Sequence, residues 1–448
     1  MSSLTEGKSG ASPAQVRFGP ILLSPGYRPR HIILMFLITS VCVSVMEFGN
    51  VLTPLILGQQ LHLPPTKQGT LAGLLGATQQ TGTLLFIMMA GALADLLGRR
   101  VMLLWTLIGL FLCLAAYPFA SSIVLLLALR FLWGVAFAGY AGAATIAIDI
   151  PDNRSRGKFN AIALLVPWLA ASGFILAASR WPNGFRMAGF SPHGALLWTC
   201  ALVALLPLIG ALATAAFFQD PFGKSIANTA SAAAGRARGV AYKLRDVLAF
   251  ARTNKRYALS LFIGSVSRTD TLAIGAFLGL WIVNAGRMHG VDAFVAAKTA
   301  GLIAAIRFVT KVVGAPLFGV INDKVSRTTM TLTSLAMMAA AFGFFGFVTN
   351  AFGTMMIAGA FLLGVAESAE AIASQTFLAE QAPAHLRGSS IGVFSFLGTT
   401  SLMVINLVGG YLFDKVGFSS PLVMEGVLHL IVLAIAIWVL RPNGSRAA

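Results

Sequence analysis

The chain has 448 residues, of which 57% are hydrophobic and only 10% charged, with a mean hydropathy of +0.82 and a formal net charge of +17. A soluble globular chain carries about 25% charged residues, so this composition excludes that class and points to a polytopic membrane protein. The basic excess does not call for nucleic acid, because its distribution along the chain follows the apolar spans, as set out below.

Residues 1–30 are basic and contain Ser, Gly and Pro, which predicts a disordered cytoplasmic tail. Twelve apolar spans follow, at roughly 32–57, 68–90, 101–119, 122–148, 158–179, 194–218, 257–284, 292–318, 328–348, 353–378, 389–412 and 420–440, each near the ~20 residues that cross a bilayer as a helix. They group as a six-helix bundle over 31–218 and another over 257–440, with a basic linker at 219–256 and a short tail at 441–448. The linker carries Lys224, Arg236, Arg238, Lys243, Arg245, Arg252, Lys255 and Arg256 and predicts an amphipathic helix from Val240 to Tyr257 on the membrane surface. Of the 32 Lys and Arg residues, about 22 fall in the termini, the linker and the loops on their side, about 6 in or next to the opposite loops and about 4 deep within the spans. That bias places both termini in the cytoplasm of an inner-membrane protein and makes lipid headgroups a sufficient partner for the charge. Cys42, Cys113 and Cys200 lie inside apolar runs without metal-ligand or disulfide spacing and read as packing residues. The first span is too long for a cleavable leader and predicts an uncleaved insertion signal.

Between the second and third spans lies Gly91-Ala-Leu-Ala-Asp95-Leu-Leu-Gly98-Arg99-Arg100, a polar hinge that reads as an interfacial turn between antiparallel helices. Gly319-Val-Ile-Asn-Asp323-Lys324-Val-Ser-Arg327 repeats it 228 residues later. Phe131-Leu132-Trp-Gly134-Val135-Ala136 recurs as Phe361-Leu362-Leu-Gly364-Val365-Ala366 at an offset of 230, and Asp149 with Arg156-Gly157 recurs as Glu380 with Arg387-Gly388 at 231. Three matches at nearly one offset indicate two homologous halves.

The hinge resembles the loop between helices two and three of the major facilitator superfamily, G-x-L-a-D-x-x-G-R-R/K, and Arg130-Phe-Leu-Trp-Gly134 resembles its fourth-helix R-x-x-x-G pattern. The resemblance covers nearly the whole chain. It implies an all-α membrane fold of two pseudo-symmetric six-helix bundles around a central cavity lined by helices 1, 4, 7 and 10. It also implies transport rather than catalysis, and a monomer.

Charged residues inside spans are costly and mark pathways. Glu47 lies in the first span, Arg130 in the fourth, Arg268 and Asp270 in the seventh, Arg307 and Lys311 in the eighth, and Glu367 and Glu370 in the tenth. Desolvation disfavours the ionised form of a carboxylate and a nearby cation opposes this, so Glu47, Asp270, Glu367 and Glu370 are candidate proton or substrate sites. Glu367 and Glu370, spaced i, i+3, are expected to share a helix face and repel unless a cation from Arg268, Arg307 or Lys311 lies opposite. Arg307 and Lys311 either bind an anionic substrate or balance the acids. Arg130 matches the arginine that the resemblance links to proton transfer and helix packing, and its counterpart in the second half is Ala360. Gln79, Gln80 and Asn406 are candidate cavity groups or interhelical glue.

The resemblance assigns gating to the loops: Gly91, Asp95, Gly98, Arg99 and Arg100 with Asp323 and Arg327 close the cytoplasmic side, latched by Asp149, Arg156, Glu380 and Arg387. One stretch departs from the superfamily's drug antiporters, whose fifth helix carries a G-P-x-x-G-G-like pattern. Here Val166-Pro167-Trp168-Leu-Ala-Ala-Ser-Gly173 keeps the proline and lacks the glycines around it.

The expectation is a proton-coupled symporter taking up a small organic solute, such as an organic anion, by alternating access, with no cofactor beyond the ion gradient. The alternative is proton-coupled efflux of a drug or metabolite, and carboxylates serve sodium as well as protons. The six histidines are scattered and no Walker A or nucleophile elbow is present, which argues against an enzyme.

Overall fold

The computed structural model describes residues 16–140, 150–152, 155–218, 245–267 and 269–441. Helices lie over each of the twelve apolar spans: α1 (Pro29–Leu55), α2 (Pro65–Leu97), α3 (Arg99–Ala116), α4 (Ile123–Ala138), α5 (Arg156–Ala178), α6 (Pro192–Phe217), α7 in two segments (Lys255–Ser267 and Thr269–Met288), α8 (Ala293–Lys324), α9 (Arg327–Phe344), α10 (Thr354–Gln381), α11 (Arg387–Lys415) and α12 (Ser420–Leu440). Eight of the described helices are long and apolar enough to cross a membrane by length and composition. The twelve helices group as two bundles of six, α1–α6 and α7–α12, on either side of the linker.

Helix ends follow local chemistry. Pro29, Pro65 and Pro192 occupy first turns, where a missing N–H costs nothing. Ser122 and Ser326 accept from Leu125 N and Thr329 N at the starts of α4 and α9. Pro54, Pro167, Pro207 and Pro316 lie inside helices, a placement that packed membrane helices tolerate. Outward side chains such as Leu112, Leu212, Val313 and Trp438 form an apolar surface that hydrocarbon covers, whereas a water-facing surface of this extent would aggregate.

Three expectations need correction. The polar stretch after the second span is not a ten-residue turn: α2 continues to Leu97, and the reversal is confined to Gly98 at φ +92°, which only glycine adopts at no cost. A helix satisfies its own backbone, so the acid does not force the chain out of the helix. The tail is not disordered throughout. Strands β1 (Arg17–Phe18) and β2 (Ile21–Leu22) form an antiparallel hairpin, and Leu23 bridges to Pro151. Leu22 N donates to Ser155 Oγ at 2.9 Å, Ser24 N to the Ile150 carbonyl at 2.9 Å, and Asp152 N to the Leu22 carbonyl at 2.9 Å. Ile21, Leu23 and Tyr27 are buried, so apolar packing adds to the backbone bonds. Finally, the linker helix stops at 253 with a break at Asn254 instead of running on to Tyr257, and it buries Val247 with Tyr257, Leu378, Leu386 and Phe394. Residues 240–244 of that expected helix are outside the described residues.

The halves meet where α2 packs on α11, α5 on α8, and α1 on α7. The tightest approach is α2 on α11 at the end away from the termini. A Cβ on Gly73 would meet the Asn406 carbonyl and one on Gly410 the Gly69 carbonyl, so the backbones touch where small residues permit it. Asp414 Oδ1 and Oδ2 accept the backbone N–H groups of Gly69 at 2.8 Å and Thr70 at 2.7 Å. Nearer the terminal side, Thr81 reaches Met403 Sδ at 3.2 Å. The two halves are therefore clamped at the end opposite the termini.

Candidate functional site

Between the halves lies a charged cluster built from α1, α8 and α10. Lys311 Nζ is 3.3 Å from Glu367 Oε2 and Arg307 Nε 3.6 Å from Glu367 Oε1. Arg307 and Glu367 are buried, and Lys311 is nearly so. The i, i+4 spacing of Arg307 and Lys311 puts both cations on one face of α8, opposite α10. Phe308 lies 4.4 Å from the Arg307 guanidinium and Trp168 of α5 lies 4.7 Å from Lys311 Nζ, with the two rings 5.2 Å apart. Such rings shield the cations from water and add cation–π attraction. Glu47 of α1 is 3% exposed and accepts from Asn50 Nδ2 at 3.3 Å. Glu47, Asn50, Arg307 and Phe308 line one cavity.

A second cavity adjoins it, and Asn50 belongs to both. Thr53, Gln79, Gln80, Arg130 and Asn406 line it. The Arg130 Nη1 donates to Gln79 Oε1 at 2.8 Å, and Nη2 donates to the Gly49 carbonyl at 3.1 Å and Thr53 Oγ1 at 2.5 Å. Tyr117 and Trp133 face the guanidinium at 5.3 and 5.4 Å. The three acceptors of Arg130 are all neutral. Asn406 Nδ2 donates to the Leu402 carbonyl of its own helix at 2.9 Å.

Glu370 does not join this cluster. Its i, i+3 spacing from Glu367 suggests a shared face, yet the two carboxylates part: Glu367 turns to α8, and Glu370 turns into the second bundle. Glu370 Oε1 lies 3.4 Å from Nε2 of the fully buried His429 on α12 and 3.2 Å from Ser267 Oγ on α7. Three residues turn a helix by about 300°, so positions i and i+3 sit about 60° apart, enough for neighbours on two sides to take one each. His429 was missed among six scattered histidines. Its one local signal is the Glu425 to His429 i, i+4 spacing, and His429 Nδ1 meets the Glu425 carbonyl at 2.8 Å.

The loop residues are less concentrated. Asp323 pairs with Arg327 at 3.7 Å across one exposed turn, and Arg327 also donates to the Asn322 carbonyl. Arg99 Nη1 donates to Tyr27 Oη at 3.4 Å, and Arg100 to the Ala215 carbonyl. Glu380 and Arg387 are exposed and form no ion pair among the described residues. The side chains of Gly91, Asp95, Arg156 and Asp270, and the whole of Asp149 and Arg268, lie outside the described residues.

The family profile described as Major Facilitator Superfamily matches residues 33–296 and 261–448. The magnetosome protein MamH of Paramagnetospirillum magneticum is 22% identical over 416 residues, covering 91% of this chain and 92% of its own length. The multidrug resistance protein MdtG of Enterobacter lignolyticus is 26% identical over 367 residues, 80% of this chain and 79% of that protein. Among solved structures, the nucleoside transporter NupG superposes with a TM-score of 0.68 at 13% identity over 92% of this chain and 99% of its own, a likeness of fold alone. With the profile spanning nearly every helix described above, the chain belongs to the Major Facilitator Superfamily and is a multi-pass membrane transporter.

Proposed function

We propose that the protein is a proton-coupled symporter that takes up a small organic anion, with Arg307, Lys311 and Glu47 at the solute site. The observation that carries this reading is the charge count of the central cluster. Arg307 and Lys311 supply two positive charges, Glu367 one negative, and Glu47 a second only when ionised. With Glu47 ionised the site is neutral, and with Glu47 protonated it carries one net positive charge inside a low-dielectric cavity. Anion affinity then rises with proton binding, so a proton and an anion are carried together. Glu367 holds the cations in place when the site is empty, and Phe308 and Trp168 offer flat apolar surfaces to an organic solute.

Under the positive-inside reading, the clamp between α2 and α11 is on the outer side, and this is an inward-facing form of an inner-membrane protein. Alternating access then requires Asp414 to release the start of α2 while the Gly98 turn and its repeat at 323–327 close the cytoplasmic side. The similarity to MdtG favours efflux as a second reading, against which stand the charged cluster and the missing fifth-helix glycines.

The test is reconstitution at fixed orientation with an internal pH dye and a panel of organic acids, sugars, amino acids and cationic drugs. Internal acidification on adding an external organic acid is the expected result. Proton entry opposite to drug exit establishes efflux instead.

A further inference from the structure

We propose that Glu370 and His429 form a second proton-binding site inside the α7–α12 bundle, separate from the solute cluster and loaded from the terminal face through a water-holding cavity and Ser267. This inference deepens the symport reading and rests on it for the coupling role alone; the existence of the site stands on geometry.

Three observations carry it. The first is the donor count at the pair. His429 Nδ1 faces the Glu425 carbonyl at 2.8 Å, and a carbonyl only accepts, so Nδ1 carries the hydrogen. In a neutral imidazole Nε2 is then an acceptor, and it faces the Glu370 carboxylate at 3.4 Å, which is also an acceptor when ionised. Two acceptors face each other unless a proton lies between them, on Nε2 or on Oε1. The arrangement is therefore built for a bound proton, and removing that proton turns an attraction into a repulsion.

The second observation is a relay. Ser267 Oγ is 3.2 Å from Glu370 Oε1 and 2.9 Å from the Ile263 carbonyl. The one hydroxyl hydrogen serves either acceptor; turned to Oε1, it passes to Glu370 while a hydrated proton in the cavity replaces it on Oγ, leaving neutral water behind. Release runs the same exchange in reverse, and Ser267 ends as it began.

The third observation is access. A cavity of about 410 Å³ lies between α7, α10 and α11 on the terminal side, lined by Ser267, Ser374, Gln375, Arg387, Phe394 and Ser395 among others. That volume holds several waters, and its hydroxyl and amide groups supply the partners that buried water needs. It ends on the same hydroxyl that bonds Glu370.

The charged and titratable neighbours are few. On α10 itself Glu367 is engaged with Arg307 and Lys311 of α8. On α12 the buried Glu425 lies one turn from His429, and on α9 the facing group is the Phe342 ring, 5.5 Å from the imidazole. On α7 the charged residues next to Ser267 are Arg268 and Asp270.

The experiment is infrared difference spectroscopy between acidic and alkaline buffer on the purified full-length protein. A protonated-carboxyl band is expected that is lost in Glu370→Gln, and His429→Gln should shift its midpoint by at least a tenfold change in proton concentration. Ser267→Ala and Gln375→Trp, which should leave the pair folded, are expected to slow its proton exchange at least tenfold without moving the midpoint. An unchanged band in Glu370→Gln, or an unchanged midpoint in His429→Gln, overturns the site. Unchanged exchange rates in both other variants overturn the access route. With any solute found in the liposome screen, Glu370→Gln should lose pH-driven accumulation at least tenfold while retaining solute exchange, and full accumulation overturns the coupling role. If the wild type moves no proton with any solute, the symport reading fails alone, and the infrared result still decides the pair.

Discussion

The two halves of the molecule share a fold and a set of repeated motifs, yet they treat buried charge in opposite ways. In the first half Arg130 is held by Gln79, Thr53, the Gly49 carbonyl and two aromatic rings. An arginine keeps its proton at any physiological pH, and none of those acceptors titrates, so the nest is electrostatically fixed. In the second half the corresponding position is Ala360, and buried charge is carried by Glu367 against two cations and by Glu370 against a histidine. The second half thus pairs its buried charges with one another, Glu367 with two cations and Glu370 with an imidazole, whereas the Arg130 nest uses neutral partners. Duplication supplied one scaffold twice, and the substitutions since then left an arginine among neutral partners in one half and paired charges in the other.

The comparison breaks most directly at the buried ion pair. Glu367→Gln leaves Arg307 and Lys311 buried without their carboxylate, and removing one partner of a buried pair costs about 3–5 kcal/mol. A large fall in thermal unfolding temperature in detergent is expected, with Arg130→Gln giving a smaller one because its partners are neutral. Equal losses would erase the distinction between the halves.

Next in size is the seam between them. Gly73→Leu drives a side chain into the Asn406 carbonyl, an overpacking worth about 1–3 kcal/mol, which disfavours the clamped form by roughly a factor of five to more than a hundred. Spin labels at Lys67→Cys and Val416→Cys, with the three native cysteines buried, should report a longer separation at the outer end. An unchanged distance would show that the seam does not set the state.

Glu47→Gln tests the link between the halves. It fixes the central cluster at one net positive charge, so pH-gradient-driven accumulation should vanish while anion exchange persists without its dependence on pH. Retained accumulation removes Glu47 from coupling.

The smallest effect is expected at Tyr27→Phe, which loses one long hydrogen bond to Arg99, worth about 0.5–1.5 kcal/mol or less, and should shift unfolding temperature only slightly.

What was legible in the chain divides along physical lines. Apolar runs of bilayer length locate all twelve helices because burial in hydrocarbon leaves the backbone few alternatives. The central cluster was half legible: Arg307, Lys311, Glu47 and Glu367 stand out as charges in apolar runs, whereas Trp168 and Phe308 look like any other lipid-facing aromatic. The Glu370 to His429 pairing was hidden, since 59 residues and the whole of α11 separate them and no periodicity relates α10 to α12. The hairpin left a faint trace, Gly19-Pro20 between Phe18 and Ile21-Leu22, masked by the polar composition around it.

That hairpin has a consequence for synthesis. Its partners, Ile150, Asp152 and Ser155, lie more than 125 residues downstream. As the ribosome delivers the chain, β1 and β2 stay without their docking surface until the fourth helix has been threaded and the turn beyond it has emerged. Only then does the amino-terminal segment fasten across the completed helices, so a fusion placed between residue 16 and α1 would interrupt the fastening.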